Sequence, residues 1–190
     1  MTDGNGDSNA GMSASTTRTV LVDASVLITL ADVGRFDLLQ TLRGQVTVPE
    51  TVADEVMTNP AASRLSTARD AGWVHVCGAP SDTVERATTQ LGESHERNHE
   101  RPQSGDVALV AWALGDDDVI VVSDDRPLRE TCKSLSIPVS GSLGVLIHAV
   151  EQGALNSDDA VETLYAMDEV GARLSASLVR DVRRRIEDRE

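Results

Sequence analysis

The sequence VLVDASVLITL, residues 20–30, contains a short apolar run, one acidic residue and the first turns of a helical pattern. The three residues before Asp23 form the kind of run that a buried parallel strand needs. After Asp23 the apolar residues follow helical spacing, with Leu27 and Leu30 on one face. In open α/β sheets, ligands bind beyond the carboxyl ends of the strands. Asp23 therefore either belongs to a functional site or only caps the helix that follows it.

The alternation of apolar runs with helical patterns continues along the chain. Further strands are predicted at residues 46–48, 73–76, 119–122 and 138–139. Helices are predicted near residues 36–42, from Pro49, and at 61–71, 82–91, 104–114, 128–135 and 143–150. Strands that alternate with helices predict an α/β fold with a central parallel sheet flanked by helices.

The two ends of the chain differ from this pattern. Residues 1–17 offer almost nothing to bury, which predicts a disordered tail. The main domain is expected to span residues 18–155. Residues 156–190 contain two helical patterns, at 157–167 and 176–188, with no strand between them. We expect these two helices to form an appended C-terminal arm.

Composition excludes some functions. The net charge is −14, with Lys133 as the single lysine against 31 acidic residues, which argues against general binding of polyanions or anionic membranes. Four aromatic residues make a base-stacking surface improbable. The acidic composition is typical of a salt-accumulating archaeon, although an ordinary acidic cytosolic protein also fits. Two isolated cysteines and the lack of a long apolar run predict a cytoplasmic protein without a membrane span.

Acidic residues recur where the predicted elements meet. Asp23 ends the first strand, and Asp124 and Asp125 follow the strand at 119–122. Glu55 and Asp106 lie at the edges of helices, Asp106 in a first turn. In a parallel sheet these side chains can converge at one end, where clustered carboxylates need a positive counter-charge. An oxygen-rich acidic pocket suits Mg²⁺ or Mn²⁺, which activates water and stabilises a phosphodiester leaving group.

Four motifs together resemble those of PIN-domain nucleases: VLVDASVLITL, VPETVADEV, SGDVALVAWAL and VIVVSDDRPLRETCKSLSIPVSGSLGVLIHAVEQGAL. The likeness covers roughly residues 18–155, and the arm resembles a branch near VapC-type toxins. The resemblance implies a Rossmann-like sheet and RNA cleavage with Mg²⁺ or Mn²⁺ as cofactor. It also implies a homodimer neutralised by an antitoxin, as is frequent in this family.

The resemblance assigns the acidic residues to metal binding and catalysis. Asp23, Glu55 and Asp106 match the first three acids of the family. Asp106 stands where this branch more often carries the longer Glu. For the fourth acid, the family spacing favours Asp125, with Asp124 as a near neighbour.

Two serines match accessory positions of the same family. Ser25 and Ser123 stand where a small hydroxyl orients ligands or the phosphate. Helix capping explains both serines equally well, because Ser is a preferred N-cap residue.

Basic residues follow the fourth acid on one predicted helix face. Arg126, Arg129 and Lys133 are three or four positions apart and are candidates for binding RNA phosphates. A solvated face paired with Glu130 is an equally good interpretation.

The polar stretch at residues 93–103 predicts a loop or lid. It contains His95-Glu96-Arg97-Asn98-His99, which fits the HExxH pattern of zinc proteases. Without flanking apolar residues, and with Pro102 close behind, we expect a solvated loop instead of a zinc site.

Two functions therefore remain open. The first is a metal-dependent endoribonuclease that acts as the toxin of a type II toxin–antitoxin pair. The second is a catalytically inactive PIN-like module that binds a protein or RNA partner.

Overall fold

Five short strands form one all-parallel sheet in the order β3-β2-β1-β4-β5. The structure is a computed structural model that describes residues 17–95, 104–171 and 176–187. The sheet confirms the predicted α/β class with a central parallel sheet. The strands are β1 Thr19–Val22, β2 Gln45–Pro49, β3 Val74–Cys77, β4 Val119–Val122 and β5 Val139–Ser140.

Helices connect and cover these strands. Besides a 3-10 helix at Phe36–Thr41, the described residues form α1 Ala24–Asp32, α2 Glu50–Glu55, α3 Ala61–Asp70, α4 Ser81–His95, α5 Ser104–Gly115, α6 Arg126–Ser134, α7 Ser142–Glu151, α8 Ser157–Glu169 and α9 Ala176–Glu187. α5 packs on α2 and α4, whereas α7 contacts α1, α8 and α9. The arm of α8 and α9 therefore attaches to the sheet domain through α7. Within the described ranges, no helix is both long and apolar enough to cross a bilayer.

Two predicted boundaries were wrong. Pro49 is the last residue of β2 and the N-cap of α2, so the helix begins one residue later than predicted, at Glu50. β1 pairs with β2 only as far as Thr47. Pro49 lacks a backbone N–H, but no hydrogen bond between β1 and β2 is lost, because the pairing ends before Pro49. α4 runs to His95, so the predicted loop of residues 93–103 cannot begin at residue 93. The rest of that loop, including His99, and the tail expected at residues 1–16 lie outside the described residues.

The register of the two central strands positions the candidate site. Val22 is paired with Val122, and both side chains are almost fully buried. The next residues, Asp23 and Ser123, therefore leave the sheet side by side. The Asp23 N–H donates to the Val122 carbonyl at 3.0 Å, and the Ser123 N–H donates to the Ser140 carbonyl of β5 at 3.1 Å. Three strand ends thus meet at one edge of the sheet.

Candidate active site

Asp23 is a buried carboxylate at the carboxyl end of β1. Its residue is only 6% exposed, and its side chain makes no capping hydrogen bond to α1. Instead Asp23 Oδ2 accepts hydrogen bonds from Ser25 Oγ at 2.5 Å and from Ser123 Oγ at 2.8 Å. Capping therefore does not explain this residue.

The two serine hydroxyls are themselves fixed by the backbone. Ser25 Oγ accepts from the Asp124 N–H at 3.1 Å, and Ser123 Oγ accepts from the Asp125 N–H at 3.0 Å. Because each hydroxyl receives a backbone donor, its proton is directed towards Asp23. We call Ser25, Ser123 and Asp23 the serine clamp. It joins the ends of β1 and β4 and sets the direction of one carboxylate.

The electrostatics of Asp23 favour a positive partner. Burial raises the pKa of its carboxyl above the ordinary value of 3.8, because the charged form loses solvation. The hydroxyls of Ser25 and Ser123 oppose this shift, and the negative charge of Asp125 adds to it. The fold thus places two carboxylates within electrostatic reach of each other, one of them buried. A cation bound there would offset both costs.

Asp124 and Asp125 point to different helices. Asp125 is half-buried at the start of α6, where its Oδ2 accepts from the Leu128 N–H at 2.8 Å. Asp124 is exposed, and its Oδ1 accepts from the Ser142 N–H at the start of α7 at 2.9 Å. Of these two carboxylates, Asp125 is the one whose charge acts on Asp23. This arrangement favours Asp125 as the fourth acid, as the family spacing does, and its role stays a prediction.

Glu55 and Asp106 are linked through the first turn of α5. Glu55 ends α2, and its Oε1 accepts from the Gly105 N–H in the first turn of α5 at 3.1 Å. A Cβ on Gly105 would lie 2.7 Å from Glu55 Oε1, so a larger residue here would require this carboxylate to shift. Asp106 follows directly and is half-buried. The glycine of the SGD motif therefore lets the Glu55 carboxylate rest against the first turn of α5, which also carries Asp106.

Cys132 is within electrostatic reach of acids from both groups. Burial, and to a lesser extent the negative charges of Asp106 and Asp23, raise the pKa of its thiol to about 12. Both carboxylates therefore act on one fully buried side chain of α6. Sequence analysis missed this residue because Cys132 only continued the apolar spacing of a helix.

The acids thus form two pairs, Asp23 with Asp125, whose charges interact, and Glu55 with Asp106, which are linked through the backbone of Gly105. In the described part of the chain, no group of three His, Cys, Asp or Glu residues is close enough to hold a metal ion. The donor chemistry nevertheless fits Mg²⁺ or Mn²⁺, which prefer carboxylate oxygens. The bonds that hold Asp23 come from neutral hydroxyls, so its charge is not neutralised by them. Shared ligation of one ion needs side-chain movement that draws the pairs together.

The three predicted phosphate-binding residues have different environments. Arg129 Nη1 donates to the carbonyls of Ser123 at 2.7 Å and Ser140 at 2.5 Å, so it ties the ends of β4 and β5 together. Arg126 is exposed and forms the alternative pair with Glu130 at 2.8 Å. Lys133 is exposed on α6. A phosphate contact stays a prediction for all three residues, and the geometry gives Arg129 a positioning role.

The chain matches one known protein family over most of its length. A family model whose description reads "DUF3368: PIN domain" matches residues 19–188. The match includes the five strands and extends through α8 and α9. No curated protein matches the chain.

Proposed function

The chain belongs to the PIN-domain family, and on that premise we propose that it is an endoribonuclease that hydrolyses RNA with Mg²⁺ or Mn²⁺. PIN domains are generally nucleases. The observation that carries the proposal is the carboxylate of Asp23, which is buried at the end of β1, aimed by two hydroxyls and adjacent to the charge of Asp125. A buried carboxylate with a raised pKa beside a second acid is typical of a functional site.

The acids have different proposed roles in binding the ion. Asp23, Asp106 and Asp125 are the proposed ligands, and Glu55 assists from α2. When bound, the ion supplies the positive charge that activates a water and stabilises the leaving oxygen. The serine clamp holds the Asp23 carboxylate in one orientation before the ion and the RNA bind. The entropy cost of fixing this side chain is therefore not added to the barrier of the reaction. Gly105 keeps Glu55 against the first turn of α5, next to Asp106.

The biological setting is also a proposal. We propose that the nuclease is a toxin whose homodimer is neutralised by an antitoxin protein. The likeness of the arm to the VapC-type branch supports this proposal. The high negative charge supports a narrow choice of RNA over general binding of nucleic acids, because most of the surface repels phosphates.

One observation favours the second function, a catalytically inactive module that binds a protein or RNA partner. In the described residues the acids form two pairs and not one three-residue group. Asp106 also has a shorter reach than the Glu that is usual in this branch. Such a module would have the same fold but would not bind a metal ion.

An RNA cleavage assay combined with calorimetry tests the proposal. The purified protein is incubated with 5′-labelled RNA in Mn²⁺, in Mg²⁺ and in EDTA, and Mn²⁺ is titrated into the protein in a calorimeter. We expect cleavage with either divalent ion, none in EDTA, products with 5′-phosphate and 3′-hydroxyl ends, and measurable Mn²⁺ binding. A folded protein that neither binds Mn²⁺ nor cleaves RNA would contradict the proposal and favour the binding module.

A further inference from the structure

A cavity of about 410 Å³ lies between the sheet and α7. Its apolar wall includes Val20 of β1, Ile120 of β4 and Val145 of α7. This volume falls within the range of about 300–1,000 Å³ that is usual for ligand pockets. The described residues that line the cavity include none of the five acids of the candidate site. The cavity is therefore a separate feature of the fold.

Three arginines from distant parts of the sequence line this cavity. Arg18 precedes β1, Arg43 precedes β2, and Arg185 belongs to α9. Among the described lining residues, Glu151 is the one acidic side chain. Arg18 forms a salt bridge with Asp118, so the positive charge offered to a ligand comes mainly from Arg43 and Arg185, in a chain of net charge −14. It favours an anionic ligand.

The hydrogen bonds of these arginines leave donors for a ligand. Arg18 Nε donates to Asp118 at 2.7 Å, and Arg43 Nη2 donates to Gln152 at 3.2 Å. Each guanidinium has five N–H donors, so these bonds occupy a small part of its capacity. A guanidinium also matches the geometry of a carboxylate or phosphate group, which accepts two parallel hydrogen bonds.

The cavity wall narrows the ligand class further. The described residues in the lining include no Phe, Tyr or Trp, and their one aromatic ring is the small imidazole of His148, whose Nε2 is hydrogen-bonded to the Thr41 carbonyl at 3.1 Å. This lining offers little surface for stacking a nucleobase. The wall is aliphatic instead, which favours a hydrocarbon chain. We propose that this cavity binds a small organic anion with an aliphatic chain, whose acidic head group pairs with Arg43 and Arg185 while its chain covers Val20, Ile120 and Val145.

Calorimetric titration of four probes tests the proposal. Octanoate carries both the charge and the chain, acetate lacks the chain, octylammonium reverses the charge, and octyl phosphate changes only the acidic head group. We expect octanoate and octyl phosphate to bind at least about tenfold more tightly than the other two, because each of those lacks one of the two interactions. The proposal is overturned if octanoate binds no more tightly than acetate and octylammonium.

Variants locate the binding and separate it from the proposed nuclease. The double variant Arg43→Gln/Arg185→Gln should lose at least about tenfold in octanoate affinity. The matched control Arg64→Gln/Arg69→Gln changes two exposed arginines of α3 and should bind like the wild type. Asp23→Asn should also bind octanoate unchanged, even where it lacks nuclease activity. If the first variant melts like the wild type and keeps its octanoate affinity, or if Asp23→Asn loses that affinity, the cavity is not the site.

Discussion

Ser123 Oγ donates a hydrogen bond to Asp23 Oδ2 at 2.8 Å, although 100 positions separate the two residues in the sequence. The pairing of Val22 with Val122 brings them together, because each residue follows its strand directly. Ser123 is fully buried, so water cannot replace this bond if it is lost. The first prediction concerns this bond.

Ser123→Ala should shift the acid limb of the cleavage pH profile to higher pH. The hydroxyl lowers the pKa of Asp23, and a hydrogen bond to a charged group is worth about 1.5–3 kcal/mol. The limb should therefore move upwards by about one pH unit or more. Rates measured between pH 4 and pH 8 (roughly the range in which carboxyls of raised pKa titrate) check this expectation. The exposed Ser66→Ala should keep the wild-type profile, and an unmoved limb in Ser123→Ala would contradict the role of the clamp.

Asp23→Asn should stabilise the metal-free protein at neutral pH. The folded-state pKa of Asp23 is raised above the ordinary 3.8, so folding favours the protonated form. The protonated Asp23 carboxyl therefore contributes fully to the free energy of unfolding below its unfolded-state pKa. This contribution is lost as the pH rises through its folded-state pKa. Asparagine carries no charge and avoids that loss.

Urea unfolding in EDTA at several pH values tests this second prediction. The advantage of Asp23→Asn should be largest at pH 7 and shrink as the pH falls towards 3.8. The control Asp32→Asn removes an exposed charge at the end of α1 and should show no such trend. If the unfolding free energies of the two variants depend on pH in the same way, burial of the Asp23 charge does not destabilise the folded protein.

Gly105→Ala should weaken Mn²⁺ binding and RNA cleavage together. The added Cβ would lie 2.7 Å from Glu55 Oε1, which must move away from the first turn of α5. Gly92→Ala is the matched control, because a Cβ there meets nothing within 4 Å. This control should keep full activity and gain about 0.5–1 kcal/mol in unfolding free energy from helix propensity. Full activity of Gly105→Ala would contradict a functional role for the contact between Gly105 and Glu55.

Arg129→Gln should destabilise the protein, unlike Arg126→Gln. Arg129 holds the carbonyls of Ser123 and Ser140, and losing such bonds to a charged donor costs about 2 kcal/mol or more. Arg126 pairs with Glu130 at the surface, where a substitution changes stability by less than about 0.5 kcal/mol. Thermal unfolding of both variants measures the difference. Equal melting temperatures would favour the original prediction that both residues serve RNA phosphates.

Local sequence patterns were sufficient for the fold. Short apolar runs predicted β1 to β4, because a parallel sheet buries most of its strand residues and leaves little choice of residue. β5 was predicted at residues 138–139 and lies at Val139–Ser140, where both residues are half-buried. The end of α4 was not predictable in this way, because residues 92–95 carry no apolar helical face. Pro49 was misplaced because its role depends on where the neighbouring strand stops.

The candidate site was predictable only in its residue types. Asp23 and Asp125 could be identified because each follows a strand, and parallel strands bring their carboxyl ends together. The hydrogen bonds of Ser25 and Ser123 to Asp23 depend on strand register, which a single sequence does not state. The bond from Arg129 to Ser140 likewise depends on β5, a two-residue strand that pairs with β4 and contacts α6 and α7.

The most direct test of the central claim compares RNA cleavage by the wild type and Asp23→Asn. Labelled RNA is mixed with excess enzyme in saturating Mn²⁺, and the rate of a single turnover is measured beside the Asp32→Asn control. Our account predicts that Asp23→Asn folds normally and loses at least about a hundredfold in rate, since even outer-shell partners of metal ligands can cost that much, while Asp32→Asn keeps the wild-type rate. Cleavage by Asp23→Asn at the wild-type rate would contradict the assignment of this site.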